Sequence, residues 1–174
     1  TYFNQAQILT GNLNGTYNII CFTIAFALIP IARKLGAKRL HFISLAIGGS
    51  ALLCMPLLND TDLLFTLPFG SGIDVSQIYL FSFGLGITWA SMMAMPYEML
   101  AASIPHGKTG IYMGIFNMFI VVPMIIQIFS VQYFIYDLLD QNPINIIRLA
   151  GIFLIIGGIF SLFVSQPKPN ETLV

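Results

Sequence analysis

Long uncharged stretches alternate with short charged ones along this chain. The uncharged runs cover residues 1–32, 41–59, 76–97, 109–136 and 149–167. A helix needs ~20 mostly apolar residues to cross ~30 Å of hydrocarbon, and each run is about that long. The pattern predicts helices over residues 13–32, 41–58, 77–97, 110–136 and 148–164. The expected fold is all-α, a polytopic membrane helix bundle with five transmembrane helices, occupying residues 1–174 as one unit.

Polar side chains are spread unevenly over these segments. The second and fifth carry little beyond Ser44, Ser50, Ser161 and Ser165, and are expected to face lipid. The first holds Tyr17, Asn18 and Thr23. The third holds Ser82, Thr88, Trp89, Ser91, Tyr97 and Glu98, and the fourth holds Asn117 and Gln127. Polar groups at membrane depth are costly unless they face a bundle interior or a watery cavity, so these three segments are the expected lining. Interhelical hydrogen bonding is the alternative use for each of them.

Small residues indicate where helices approach closely. Gly86, Ala90 and Ala94 fall four apart on the third segment, and Gly157 and Ser161 have the same spacing on the fifth. Pro30, Pro96 and Pro123 lie within or at the ends of the three expected lining helices, where each removes a backbone donor. Bends there would suit a bundle that rocks; proline is also simply commoner in membrane helices than in soluble ones.

Composition agrees with the pattern. Hydrophobic residues make up 57% and charged residues 8%, whereas soluble domains carry about 25% charged residues. The net charge of zero removes the electrostatic case for nucleic-acid binding. Cys21 and Cys54 both fall in apolar segments, where a thiol packs as a small hydrophobe.

The sign of the loop charges sets an expected orientation. Arg33, Lys34, Lys38, Arg39, Lys108 and Lys168 fall on one side, and Asp60, Asp62, Asp74, Asp137 and Asp140 on the other with Arg148. The positive-inside rule makes the basic side cytoplasmic, so the chain begins outside and ends inside. With an odd helix count and Thr1 at its start, it reads as a piece of a longer protein, cut just after a preceding helix. No secretory signal pattern is present.

Two stretches carry a family resemblance. The loop ARKLGAKRLH is similar to the short basic loop that the major facilitator superfamily keeps between helices in each six-helix half. Aligning Gly36 with its second glycine puts Ile29 on the first glycine, Arg33 on the aspartate and Lys34 on the arginine, a partial match that lacks the acid. The MPY at Met95, Pro96 and Tyr97, and the GIYMGIFNMFIVVP from Gly110 to Pro123, resemble the tenth and eleventh helices of its sucrose- and maltose-proton symporter branch. The resemblance implies helices eight to twelve of an incomplete C-terminal six-helix half. It further implies proton-coupled symport of a sugar, an α-linked disaccharide, by alternating access against an N-terminal half in the inner membrane of a bacterium.

On that resemblance, Trp89 near midplane becomes a stacking platform for a pyranose, the alternative being a space-filling role in the bundle. Asn117, Asn18, Tyr17 and Gln127 become polyol-binding groups, because amides and hydroxyls donate and accept together. Glu98, just after Pro96, would pair with Arg33, Lys34 or Arg39 as a cytoplasmic gate; an acid solvated at a helix end and a proton carrier are the alternatives. The partners implied are a small sugar, protons, the lipid bilayer and the N-terminal half of the same protein, with no cofactor. The competing class is a non-transporting scaffold or receptor of the same fold, or a carrier of another small solute.

Other signals are weak. The stretch around His106 and Lys108 lacks the first glycine of a phosphate-binding loop, with Ala102 in its place. His41 and His106, expected in separate loops, have no metal-ligand spacing. The sequons at Asn14 and Asn59 hug the membrane, and nothing converges as acid, base and nucleophile for an enzyme. Loop 59–76 offers only its acidity.

Overall fold

A computed structural model describes residues 2–68, 73–105 and 107–165. His106 and Lys168, named above, lie outside the described residues. Five long helices appear, one for each apolar segment. They are α1 (Tyr2–Leu35), α2 (Ala37–Cys54, prolonged by a 3-10 turn at Met55–Leu57), α3 (Tyr79–Ala101), α4 (Thr109–Leu138) and α5 (Pro143–Leu162). Four of them, α1, α2 with its extra turn, α4 and α5, are long and apolar enough to cross a membrane, at 34, 21, 30 and 20 residues. The fifth, α3, has 23 residues but is diluted by glycine, serine and threonine. This is the helical make-up of a membrane protein.

Boundaries depart from the predicted ones where local chemistry overrides hydropathy. Helix α1 starts eleven residues before the expected Leu13, because nothing in YFNQAQILTGN stops a helix and hydropathy marks only the part that must sit in lipid. At 34 residues it spans ~51 Å, longer than the hydrocarbon layer. Helix α5 starts five residues before the expected Arg148: the Asn142 side chain accepts from the Ile144 N–H at 2.9 Å and Pro143 takes the first turn. Arg148 is therefore an exposed helical residue rather than part of the loop. Pro30, Pro96 and Pro123 all lie inside continuous helices, and α4 relaxes into a π-helical segment at Val131–Ile135.

The α1–α2 link is Gly36 alone, at a φ of 82°, with its N–H donating to Ala32 O at 2.8 Å. Such a φ is open to glycine and strained for other residues, so Gly36 is what reverses the chain in so little length. Between α2 and α3, where only an acidic loop was expected, strands β1 (Leu63–Leu67) and β2 (Ile73–Ser76) pair antiparallel, with Leu64 left out of the register. This hairpin is a small addition to an all-α fold.

The packing order departs from the expected division into lining and outer helices at α2. Helix α2, expected to face lipid, is central, lying between α3 and α5, while α3 also packs on α1. Its buried residues are Ala37, Leu40, His41, Ser44, Leu45, Gly48 and Gly49. Helix α4, expected to line the interior, buries no residue. Contacts such as His41 with Ser91 and Gly84 with Ala51 show α2 antiparallel to α3, and Gly49 with Gly151 and Lys38 with Val164 show it antiparallel to α5. Arg33, Lys34, Lys38, Arg39 and Lys108 thus collect at one end of the bundle and the aspartates at the other. At the basic end, Leu28, Ala32, Ala37, Leu40, Ala90, Met95 and Met99 form a common apolar core.

Glycine sets the spacing. A Cβ on Gly151 would lie 2.8 Å from Gly49 O, and one on Gly49 would lie 2.7 Å from Gly151 O, so the two backbones touch. On α3, a Cβ at Gly86 would lie 2.9 Å from Tyr17 O of α1. Of the expected α3 stripe, Gly86 and Ala90 are buried and Ala94 is exposed. On α5 the contact falls to Gly158 instead of Gly157, which faces open space, while Ser161 is buried as expected. The expected contact missed by one residue, because spacing identifies a stripe only when its phase around the helix is known.

These contacts predict opposite outcomes for two alanines. Gly151→Ala should destabilise the chain by about 1–3 kcal/mol, since backbone rather than a flexible side chain must move. Gly157→Ala should be neutral or stabilising by about 0.5–1 kcal/mol through helix propensity. Denaturant titration in mixed micelles measures both; equal effects would contradict the α2–α5 contact.

Candidate functional site

Most of the polar positions of α3 are spent on its neighbours. The Ser82 hydroxyl donates to Leu13 O of α1 at 3.0 Å, and the Thr88 hydroxyl donates to Ser44 O of α2 at 2.7 Å. One turn further, Ser91 Oγ and His41 Nδ1 share a hydrogen bond of 2.9 Å, with both residues buried. The sequence reading placed Ser82, Thr88 and Ser91 toward a cavity and His41 in a loop. Instead they form the helix interfaces, where a buried polar group is satisfied by backbone or side chain across the contact. Close passage of the helices makes this possible: a Cβ on Gly48 would collide with the Thr88 side chain.

The Ser44 hydroxyl in the same seam is buried and has no hydrogen-bond partner among the described residues. Its carbonyl, not its side chain, holds Thr88. The signal that could have found this seam was the coincidence of one histidine and small hydroxyl residues at the facing ends of antiparallel segments. Read on single helices, those residues looked like loop and lining.

Trp89 takes a different direction. It is 40% exposed, between the buried Thr88 and Ala90. Tyr97, eight residues on, lies ~12 Å further along the helix and ~80° around it. Its hydroxyl donates to Asn117 Oδ1 of α4 at 2.5 Å, and its ring meets Phe116 edge-on at 5.0 Å between centroids. This aromatic and amide contact holds the N-terminal part of α4 to α3.

The remaining expected binding residues are not drawn into the same place. Asn18 is exposed, and its amide donates to Asn14 O of its own helix at 2.7 Å. Tyr17 is half-buried where α1 meets Gly86. Gln127 is exposed, ~15 Å beyond Asn117 along α4. Among the described residues, contacts therefore join Asn117 to α3 but do not gather Trp89, Asn18, Tyr17 and Gln127 into one pocket.

At the basic end, Glu98, Arg33, Lys34 and Arg39 are all exposed, and no ion pair joins them among the described residues. Glu98 is nine residues from Trp89, which puts the two on opposite sides of α3. Lys38 does have a specific contact, its Nζ donating to Val164 O at 3.0 Å near the end of α5, where a cation meets the negative end of the helix. No group of three or more His, Cys, Asp or Glu is placed to hold a metal ion among the described residues.

At the acidic end, α1, the hairpin and the first turns of α3 enclose a groove of about 740 Å³. Its lining is mainly apolar, with Asn12, Thr16, Asp74 and Tyr79 as its polar members. It was not foreseen, because the segment that forms one wall offered only its acidity in the sequence and no sign of a hairpin. Compared with known protein families, with curated proteins and with solved structures, the chain has no match.

The hydroxyls of the seam should differ sharply in worth. Ser91→Ala leaves a buried imidazole nitrogen unpaired and is expected to cost about 0.5–2 kcal/mol. Ser44→Ala removes a hydroxyl without a partner and should be neutral or slightly stabilising. Unfolding free energies of the two variants check this, and a larger loss for Ser44→Ala would contradict the pairing.

Proposed function

We propose that this chain is the C-terminal part of a major facilitator type secondary transporter, carrying a sugar with protons by alternating access. The observation that carries the reading is the open part of α3: a half-exposed tryptophan well inside the helix, and below it the Tyr97–Asn117 bond to α4. A lone tryptophan within a membrane helix, away from the interface where tryptophans collect, is suited to stack on the apolar face of a pyranose. Hydroxyl and amide groups that already exchange a hydrogen bond can exchange it for bonds to a polyol. Those residues fall in the stretches that resemble disaccharide-proton symporters.

The packing fits a rocking mechanism. Helices α1, α2, α3 and α5 hold one another through close backbone contacts, whereas α4 buries nothing and meets α3 chiefly through Tyr97. The α1, α2, α3 and α5 group would move as a body against a partner half, carrying α4 with it through the Tyr97 contact, with the substrate held near midplane. On this reading the basic end is cytoplasmic, the membrane is a bacterial inner membrane, and the first residues lie outside. Glu98 and the arginines at that end, unpaired with one another, would meet when the inner gate closes.

Uptake of labelled maltose and sucrose by cells expressing the full-length protein tests the reading, with and without an uncoupler. Uptake should collapse with the uncoupler and fall at least tenfold for Trp89→Ala, the loss expected when a stacking contact worth ~1.4 kcal/mol or more is removed. Glu98→Gln should slow turnover with little change in half-saturation. A well-expressed protein that takes up neither sugar would sink the disaccharide assignment and favour a scaffold of the same fold.

A further inference from the structure

The groove at the acidic end has a shape and a charge that together define an occupant. Its floor is the α1 face bearing Gly11 and Gly15, where an added Cβ at either position would meet nothing within 4 Å. These glycines are unlike Gly49, Gly86 and Gly151, which bring helices together; here no protein atom uses the space they leave. The walls are apolar, from Ile19, Phe65 and Phe83. A volume of about 740 Å³ lies within the usual range of ligand sites, roughly 300–1,000 Å³.

Asp74 is the charged residue of the lining. The Thr66 hydroxyl donates to Asp74 Oδ1 at 2.7 Å across the hairpin, which orients the carboxylate and leaves acceptor capacity on it. Loop 59–76 adds Asp60 and Asp62 and contains no Lys or Arg. A headgroup of net negative charge would be repelled by Asp74, Asp60 and Asp62, whereas a zwitterionic one offers an amine to them, and a polyol would find too few polar groups along the apolar walls. A cationic amine would gain a charge-assisted hydrogen bond at Asp74 while its apolar part lies against the walls. Tyr79, in the first turn of α3, adds to the lining a residue type that is enriched at the membrane surface.

We propose that this groove binds a membrane amphiphile with an amine-bearing headgroup, the amine at Asp74 and an acyl chain along the Gly11 and Gly15 face of α1. The site is separate from the α3–α4 contact on which the transport reading rests, and stands or falls independently of it.

The test uses the full chain in lipid nanodiscs doped with either phosphatidylethanolamine or phosphatidylglycerol, each carrying a photoactivatable acyl chain. Cross-links are mapped by mass spectrometry. The ethanolamine lipid should label residues 11–20 and 79–83 above the exposed surface of α4, and the glycerol lipid should not. Asp74→Asn should lower that labelling roughly tenfold, the loss of one charge-assisted hydrogen bond. Gly15→Leu, which fills the floor from an α1 position whose Cβ has open space around it, should lower it even if Asp74→Asn disturbs the hairpin. Equal labelling by the two lipids, labelling spread evenly over α1 and α4, or labelling unchanged by Gly15→Leu would each overturn the proposal. The last two results would point to a bare lipid-facing surface or to a groove filled by another helix.

Discussion

Close backbone contact is the constraint on which this bundle depends. Lipid tails are as apolar as leucine, so membrane helices gain little by hiding carbon from their solvent and must instead gain from packing and from hydrogen bonds that packing permits. Helix α2 meets that constraint on two sides with adjacent residues. Gly48 lets the Thr88 side chain of α3 lie against the helix, and Gly49 touches Gly151 of α5. Neighbouring positions on a helix point ~100° apart, so one glycine pair opens two interfaces. That is why a helix with few polar side chains sits at the centre and not at the lipid boundary.

Hydrogen bonding across the bundle follows from that spacing. Thr88 reaches Ser44 O, and Ser91 reaches His41, because α2 and α3 lie close enough for short side chains to cross. Single bonds of this kind average only ~0.6 kcal/mol between membrane helices. Their larger effect is on register, since a slip of α2 along α3 would break both and drive Thr88 into positions that carry a Cβ. The α1, α2, α3 and α5 group is consequently well determined, while α4 is joined to it through the Tyr97, Asn117 and Phe116 contact.

Polarity on a helix has three outlets here, and they have different functional meanings. Asn18 and Thr23 return their donors to carbonyls of their own helix. Ser82, Thr88 and Ser91 spend theirs on a neighbour. Trp89 and Glu98 remain exposed, on opposite sides of α3. No residue type selects an outlet by itself: Ser91 and Trp89 are two residues apart, and one is buried in a helix interface while the other is exposed.

Helix number, approximate extent and the separation of basic from acidic ends were legible in the sequence, because each depends on local quantities: a run of apolar residues long enough for lipid, and the sign of charge between runs. Trp89 also stood out, as the single tryptophan of the chain. The start of α5 was locally encoded as well, in the Asn142 and Pro143 cap, but hydropathy obscured it. Which helix is central, which glycine of the Gly157 and Gly158 pair makes contact, and where His41 lies were decided only by the tertiary structure. Those answers depend on the rotation of each helix about its own axis. That rotation is chosen by the neighbour it must fit, and hydropathy that is nearly uniform around a membrane helix does not encode it.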